Sequence, residues 1–352
     1  MKTRLALLLC VLAASLRGAD APAPATDKGE KSDVIATAPA TVPGVSIEKV
    51  AFHGWKDAWK ISNAACELIV VPQVSRVMSF SLKGGENLIW IAPTANGQIY
   101  PQASNEWRNI GGDKIWPEPQ AVWGWPPPYF FDNAPSDAEA IPGGVRIRTQ
   151  KVSPRLGSIL VREFVLDAEK ARVTVRQHFE KSVGEPIPMT LWNITQVRKP
   201  EYALLPLGAE DDKKLRYRGF GDKKIEAPAL QIHDTVLSLR NDEAGPKVGV
   251  RPLPDGSNRW VAAVYPSCLL LESRQIEKGA AYPDENCNAE LFASPANLGT
   301  YIELELLSPV KALRPGETLA DDSVWQLVPL TPAQAKDPEQ AAAAARAALV
   351  KP

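Results

Sequence analysis

The sequence predicts an all-β protein, a sandwich built around a large core, and three observations carry that prediction. Short apolar or alternating runs follow one another from Val45 to Leu330, separated by Gly, Pro, Asn and Asp, which is the rhythm of strands and turns. No long amphipathic helical pattern interrupts them. No fixed-period repeat appears either, which disfavours a propeller or a solenoid.

At the N-terminus, Met1-Lys2-Thr3-Arg4 precedes an apolar stretch from Leu5 to Ser15 and then Ala19-Asp20-Ala21. That is the basic, apolar, small-x-small order of a secretory signal, so residues 1–21 are expected to be removed by cleavage after Ala21, with Ala19 the secondary position, and the protein to be periplasmic or secreted. Cys10 follows three leucines rather than the small residues that precede a lipidated cysteine. No later run approaches the roughly 20 apolar residues of a membrane helix, so no membrane insertion is expected after cleavage. Residues 22–43 are Ala, Pro, Thr, Asp and Lys with almost no large apolar side chain, the composition of a flexible linker.

The predicted sandwich spans residues 44–330. Leu68 to Val71 is an apolar run, Arg76 to Leu82 alternates, and a Gly-Gly turn leads into Leu88 to Ile91. Ser158 to Leu166 and Arg172 to Glu180 alternate on either side of Asp167-Ala168-Glu169-Lys170 and read as a hairpin. Met189 to Val197, Val236 to Leu239, Trp260 to Tyr265, Ala289 to Ala293, Thr300 to Leu307 and Ser323 to Val328 complete the strand candidates. The Ala-rich tail, residues 331–352, holds a helix candidate from Asp337 to Leu349 whose alanines offer little to pack.

Charge excludes one class of partner. Lys plus Arg number 40 against 41 Asp plus Glu, and neither sign gathers into a block, so no nucleic acid is expected as a partner. Three cysteines survive signal removal, an odd number that cannot form a full disulfide framework. A Cys268–Cys287 bridge and three isolated core thiols both remain open. No His and Cys cluster has zinc spacing, and no cofactor is expected.

The segment from Asn105 to Asp132 is the most unusual. It holds Trp107, Trp116, Trp123 and Trp125, four of the ten tryptophans, interleaved with Glu106, Asp113, Lys114 and Glu118. Sugars present C–H faces that stack on flat rings and hydroxyls that need carboxylates, amides and cations, and this segment supplies both kinds of group. It reads as a long surface loop, with rings either free for a ligand or folded inward as a lid. Gly111-Gly112 lacks the pattern of a phosphate loop. On the run from Arg172, Arg176 and His178 share a polar face with Thr174 and Glu180. That face lines either a pocket or solvent; His178 is the first histidine candidate for proton transfer. Asp284, Asn286, Asn288 and Glu290 alternate like part of a calcium loop but lack its glycine and distal glutamate; alternatively, the loop delivers Glu290 to a pocket rim.

Val71-Pro72-Gln73-Val74-Ser75-Arg76-Val77, Glu86-Asn87-Leu88-Ile89-Trp90, Gly111-Gly112-Asp113-Lys114-Ile115-Trp116-Pro117, Leu191-Trp192-Asn193, and Tyr301 to Glu305 through Leu313 to Glu317 occur in one order. In that order the chain resembles the galactose mutarotase-like (aldose 1-epimerase-like) superfamily, in particular a bacterial branch known only as a domain of unknown function. The resemblance implies a β-supersandwich that binds a small sugar or oligosaccharide. It also implies an epimerase chemistry in which a carboxylate takes the anomeric hydroxyl proton and a histidine protonates the ring oxygen. The family's Asn-His pair corresponds here to Asn193-Ile194, and its His-Gly falls near Gly112-Asp113-Lys114, so neither histidine is matched. The resemblance places Glu290 as base, His178, Asp113 or Lys114 as proton donor, and Arg76, Trp107, Lys114, Trp116, Glu118, Trp125, Arg176 and Asn193 as sugar contacts. A non-catalytic sugar-binding protein and an accessory domain of a polysaccharide lyase or hydrolase are the alternatives.

Overall fold

The computed structural model describes residues 41–101, 107–207, 216–220, 229–241, 247–295 and 299–349. The expected signal segment and nearly all of the linker lie outside the described residues, as do Asn105 and Glu106.

Two large antiparallel sheets face each other. The first runs, in spatial order, Ser46–Phe52, Trp55–Ser62, Cys66–Val71, Arg76–Leu82 and Asp113–Glu118. It continues through Ile187–Arg198, Tyr301–Leu307, Ala289–Ala293, Lys247–Val250 and Arg218–Phe220. The second runs Leu230–Ile232, Val236–Leu239, Tyr202–Pro206, Trp260–Val264 and Cys268–Arg274, then Ser323–Pro329, Arg172–Lys181, Ser158–Leu166, Gly144–Thr149 and Ser136–Ile141. The predicted hairpin is present, with Ile159 opposite Glu180 and Leu166 opposite Val173.

Side chains alternate across each strand, so every strand of the first sheet has one face toward the second sheet and one away. The inward faces form the principal core. Leu68, Val77, Phe80 and Leu304 of the first sheet pack with Phe164, Val175, Val261 and Trp325 of the second, and the Phe80 and Trp325 rings lie 6.3 Å apart. Cys66, Cys268 and Cys287 are all buried free thiols, so the bridge between Cys268 and Cys287 is not formed.

Three expectations are corrected. Leu88 to Ile91 is not a strand; it makes only isolated bridges, Ile89 to Val197 and Ile91 to Gly111. Conversely, Asp113–Glu118 is not surface loop but a central strand with all six residues buried. Pro117, which spoils the strand signal, is tolerated because Asp113–Glu118 pairs fully on one side only, touching Arg76–Leu82 just at Val77–Asp113. A missing N–H is harmless where no ladder runs, and the Pro117 carbonyl instead accepts from Trp123 Nε1 at 2.7 Å.

The third correction concerns the tail. Thr331 caps helix Pro332–Lys336 through a reciprocal box with Gln334, and Asp337 accepts from the amides of Glu339 and Gln340 to cap helix Pro338–Ala348. Ala341, Ala342 and Ala345 are fully buried against Tyr202, Leu204, Trp260, Leu269 and Leu271. The alanines contribute little volume, but their small size brings the helix close enough for the sheet's large side chains to fill the contact.

Candidate functional site

Alternation carries polar chemistry to the outer face of the first sheet. On Tyr301–Leu307 the apolar residues Ile302, Leu304 and Leu306 point inward, leaving Glu303 and Glu305 on the other face. The register then brings functional groups side by side: Glu305 lies opposite Ile194 and Glu290, and Ile194 opposite Lys114. Trp192 lies opposite Trp116, and Phe292 opposite both Glu303 and Lys247.

At one end of this face Lys247 is the hub. Its Nζ lies 2.7 Å from Glu290 Oε2, 3.2 Å from Glu305 Oε2 and 3.5 Å from Asp284 Oδ2. The ammonium also sits 4.6 Å from the Trp192 ring and 5.7 Å from Phe220, within cation–π range. Trp192 Nε1 donates to Glu305 Oε2 at 2.7 Å. Glu290 Oε1 has no hydrogen-bond donor among the described residues. Burial lowers the Lys247 pKa, but Glu305, Glu290 and Asp284 outweigh it and hold the ammonium well above its usual range.

Burial lifts Glu290 well above the usual carboxylate range, and lifts Glu305 too, with Lys247 offsetting only part of each shift. The charge balance explains this: one lysine faces three carboxylates in a desolvated setting, so retaining a proton on the glutamate pair relieves like-charge repulsion. Glu118 belongs to the same field. Burial, then Asp284, pushes its carboxyl up to about 7.

The turn supplying Asp284 is strained. Asp284, Glu285 and Asn286 all have positive φ, at 46°, 57° and 73°, a conformation that L residues rarely adopt consecutively. The strain is held in part by Asn286 Oδ1, which accepts from the Tyr282 amide at 2.8 Å.

Toward the centre, Asp132 organises the tryptophans. Its Oδ1 accepts from Trp116 Nε1 at 2.9 Å and from Arg76 Nη2 at 2.8 Å, and its Oδ2 accepts from Trp107 Nε1 at 3.1 Å. Trp116 is ringed edge-to-face by Trp107, Trp123, Trp125 and Trp192 at 5.5 to 6.3 Å. Most ring faces are therefore spent on one another. Trp125, 57 % exposed, keeps an open surface at the rim. Gly111 and Gly112, with φ of +90° and +82°, let the chain enter this strand: a Cβ on Gly111 would overlap the Trp90 carbonyl, and one on Gly112 would lie 2.8 Å from the Val77 carbonyl.

Arg76, Trp107, Lys114, Trp116, Glu118, Trp125 and Glu290 thus share one face or its covering loop. Arg76 is committed to Asp132 and to the Gly111 carbonyl at 2.6 Å. Lys114 lies 3.4 Å from Glu303 Oε1 and 4.7 Å from the Trp116 ring, and burial lowers its pKa. Glu290 is fully buried rather than at a pocket rim, and both it and Asp284 are engaged with Lys247. Among the described residues no group of three or more His, Cys, Asp and Glu could hold a metal ion.

Four residues are placed elsewhere. Asp113 and Asn193 point between the sheets because they are one residue out of step with Lys114 and Trp192. Asp113 pairs with Arg162 of the second sheet and accepts from Thr195 Oγ1 at 3.0 Å and Asn193 Nδ2 at 3.3 Å. Asn193 Oδ1 accepts from Arg274 Nη2 at 2.6 Å. Both residues tie the sheets together. His178 and Arg176 lie on the solvent face of the second sheet, where His178 Nε2 is 3.1 Å from Glu180 Oε1 and Arg176 reaches Glu163 at 3.5 Å. Neither can reach the first sheet's outer face, which lies beyond the core.

Sequence reasoning missed Lys247, Glu303, Glu305, Trp192 as a site residue, and Asp132 as an organiser. The two glutamates were signalled by their alternation with Ile302, Leu304 and Leu306. Lys247 was not, since Lys247–Val250 is a four-residue strand with no period to read.

A family model described as "Domain of unknown function (DUF4380)" matches residues 57–328. No curated protein matches the sequence. Among solved structures, an aldose 1-epimerase candidate from Klebsiella pneumoniae aligns at TM-score 0.55 and 13% identity, covering 86% of each chain. Another from Escherichia coli K12 aligns at 0.51 and 13%, covering 82% of this chain and 100% of that one. A galactose mutarotase-like protein from Lactobacillus casei aligns at 0.51 and 10%, covering 77% and 99%. At these identities the likeness concerns the fold: the chain has the galactose mutarotase-like sandwich.

Proposed function

Because the chain belongs to the DUF4380 family and has a mutarotase-like fold, we propose that it binds a sugar on the outer face of the first sheet and interconverts its anomers. The observation that carries the proposal is the buried Glu290–Lys247–Glu305 cluster with an unpartnered Glu290 oxygen beside Trp192.

In the proposed reaction the one proton held by the glutamate pair rests on Glu305, leaving Glu290 charged beside Lys247, and Glu290 takes the proton of the anomeric hydroxyl. The electron pair left on that oxygen forms the C1 carbonyl, the bond from C1 to the ring oxygen breaks, and the ring oxygen takes a proton from Glu118. Rotation about the bond from C1 to C2 and the reverse proton transfers close the ring on the other face, restoring both groups. Glu118 replaces the family's histidine as acid because its carboxyl, near 7, is poised at neutrality. Lys247 stabilises the charged form of the pair, and Trp125 offers a ring to the sugar's C–H face. Export to the periplasm or exterior, supported by the order of residues 1–21, belongs to the same proposal.

One observation favours a non-catalytic binding protein: none of His53, His178 and His233 lies in this cluster. Polarimetry with aldoses and uronic acids, paired with tryptophan fluorescence titration, separates the two readings. Acceleration of anomer equilibration that disappears in Glu290→Gln while binding persists is the expected result; binding with no acceleration in the wild type would sink the catalytic reading.

A further inference from the structure

We propose that a groove lined by His53, Trp90, Arg198 and Lys199 is a second subsite on the same face, one that takes the carboxylate of an acidic sugar. The groove encloses about 500 Å³, the size of a small-ligand site. Its walls are His53, Asn87, Trp90, Arg198, Lys199 and Thr300 together with Ile89, Ile91, Pro93 and Gly299, and among the described residues no Asp or Glu lines it.

The position follows from the register. Ile194, opposite Glu305, and Arg198, opposite Tyr301, lie on the same side of one strand, four residues and about 13 Å apart. The groove is therefore an extension of the proposed sugar site along the strand, two or three sugar rings away. Trp90 is held in the wall of the groove: its ring lies against Tyr301, centroids 4.5 Å apart and tilted by 38°, and the Tyr301 hydroxyl accepts from Asn109 Nδ2 at 3.0 Å. Gly299 keeps the groove open, since a Cβ there would lie 2.7 Å from Trp90 Cζ2.

The electrostatics select an anion. Within the main site the cations are neutralised, Arg76 by Asp132, Lys114 by Glu303 and Lys247 by two glutamates. In the groove, Lys199 has no carboxylate partner among the described residues, and Arg198 has only the highly exposed Glu86, at 3.3 Å, a pairing of little worth in water. An incoming carboxylate can displace Glu86 and engage the guanidinium through two parallel bonds. His53 and Lys199 also hold positive φ, 44° and 41°, so two strained residues face one cavity, the association expected where position rather than local comfort is selected. That the ligand is a sugar rests on the function proposed above; that it is an anion does not.

The test uses the mature protein, with galacturonic acid and galactose as probes read by tryptophan fluorescence. The wild type should bind the acid about tenfold tighter, the gain of one charge-assisted contact. In the Arg198→Ala/Lys199→Ala double variant, whose two positions are exposed, that preference should vanish while galactose affinity stays the same; in Glu290→Gln it should persist. Equal affinities in the wild type, a preference that survives the double variant, or no binding of galacturonic acid would overturn the subsite. If galactose fails to bind but galacturonic acid binds through Arg198 and Lys199, the subsite stands and the proposed function falls.

Discussion

Lys247 Nζ lies 2.7 Å from Glu290 Oε2 in a setting where Glu290 has no solvent contact. Removing one member of such a pair leaves a desolvated charge. Lys247→Met should destabilise the protein by about 3–5 kcal/mol at pH 8. The loss should shrink on acidification, because Glu290 and Glu305 take up protons more readily once the ammonium is gone. Urea unfolding at pH 8 and pH 5.5 checks this, and an equal loss at both values would contradict the charge argument.

Glu118 gives a second pH dependence with a defined sign. Its folded carboxyl titrates near 7, its unfolded one in the usual range near 4.3. Between those values the folded protein holds the extra proton, so this group's contribution to stability is full at low pH and declines as pH rises toward 7. Glu118→Gln should flatten the unfolding free energy across that window. An unchanged slope would show that Glu118 does not titrate there.

Asp113 and Arg162 form a fully buried pair across the two sheets. Asp113→Ala should cost about 3–5 kcal/mol of stability. In a folded population at low temperature it should leave sugar affinity nearly intact, because Asp113 faces away from the site. A selective loss of affinity at unchanged melting temperature would return Asp113 to the site.

The two kinds of tryptophan should separate under mutation. Trp116, buried at the centre of the cage, should cost about 3–5 kcal/mol when cut to alanine. Trp125 is open, and its alanine variant should leave the melting temperature within about 2 °C, as expected of an exposed side chain, while weakening sugar binding. Paired thermal melts and fluorescence titrations decide the matter.

Mass spectrometry of the protein recovered from a bacterial periplasm should give a chain beginning at Pro22, in keeping with a signal cleaved after Ala21. Recovery of the intact N-terminus from the cytoplasm would remove the export proposal.

The strands most legible in the sequence were those with a period or a long apolar run to read. Arg76–Leu82, Ser158–Leu166 and Tyr301–Leu307 alternate or run apolar over seven residues or more. Leu88 to Ile91 has the composition of a strand, yet no neighbouring strand is free to pair with it beyond two bridges, and pairing is a long-range property that composition does not hold. The site was half legible for a related reason. Lys114, Trp116 and Glu118 alternate with Asp113, Ile115 and Pro117 on a strand buried on both sides. The glycines before it and the prolines within and after it gave this segment the look of a surface loop, so no faces were assigned and Asp113 was grouped with Lys114. Lys247 reaches Glu290 and Glu305 only because its strand pairs with the distant Ala289–Ala293, itself paired with Tyr301–Leu307.

The adjacency of Asp113 and Lys114 has a meaning for assembly of the sheet. Each is buried, and each meets an opposite charge on its own side, Arg162 for the aspartate and Glu303 for the lysine. Slippage of this strand by one position would turn each charge to the opposite face: in one direction Lys114 takes the place beside Arg162, in the other Asp113 takes the place beside Glu303, so either slip sets like charges together and strips the other buried charge of its partner. The pair is thus a built-in alignment check: the wrong pairing is penalised on both faces at once, and the Trp116 cage is delivered to its proper side as part of the same choice.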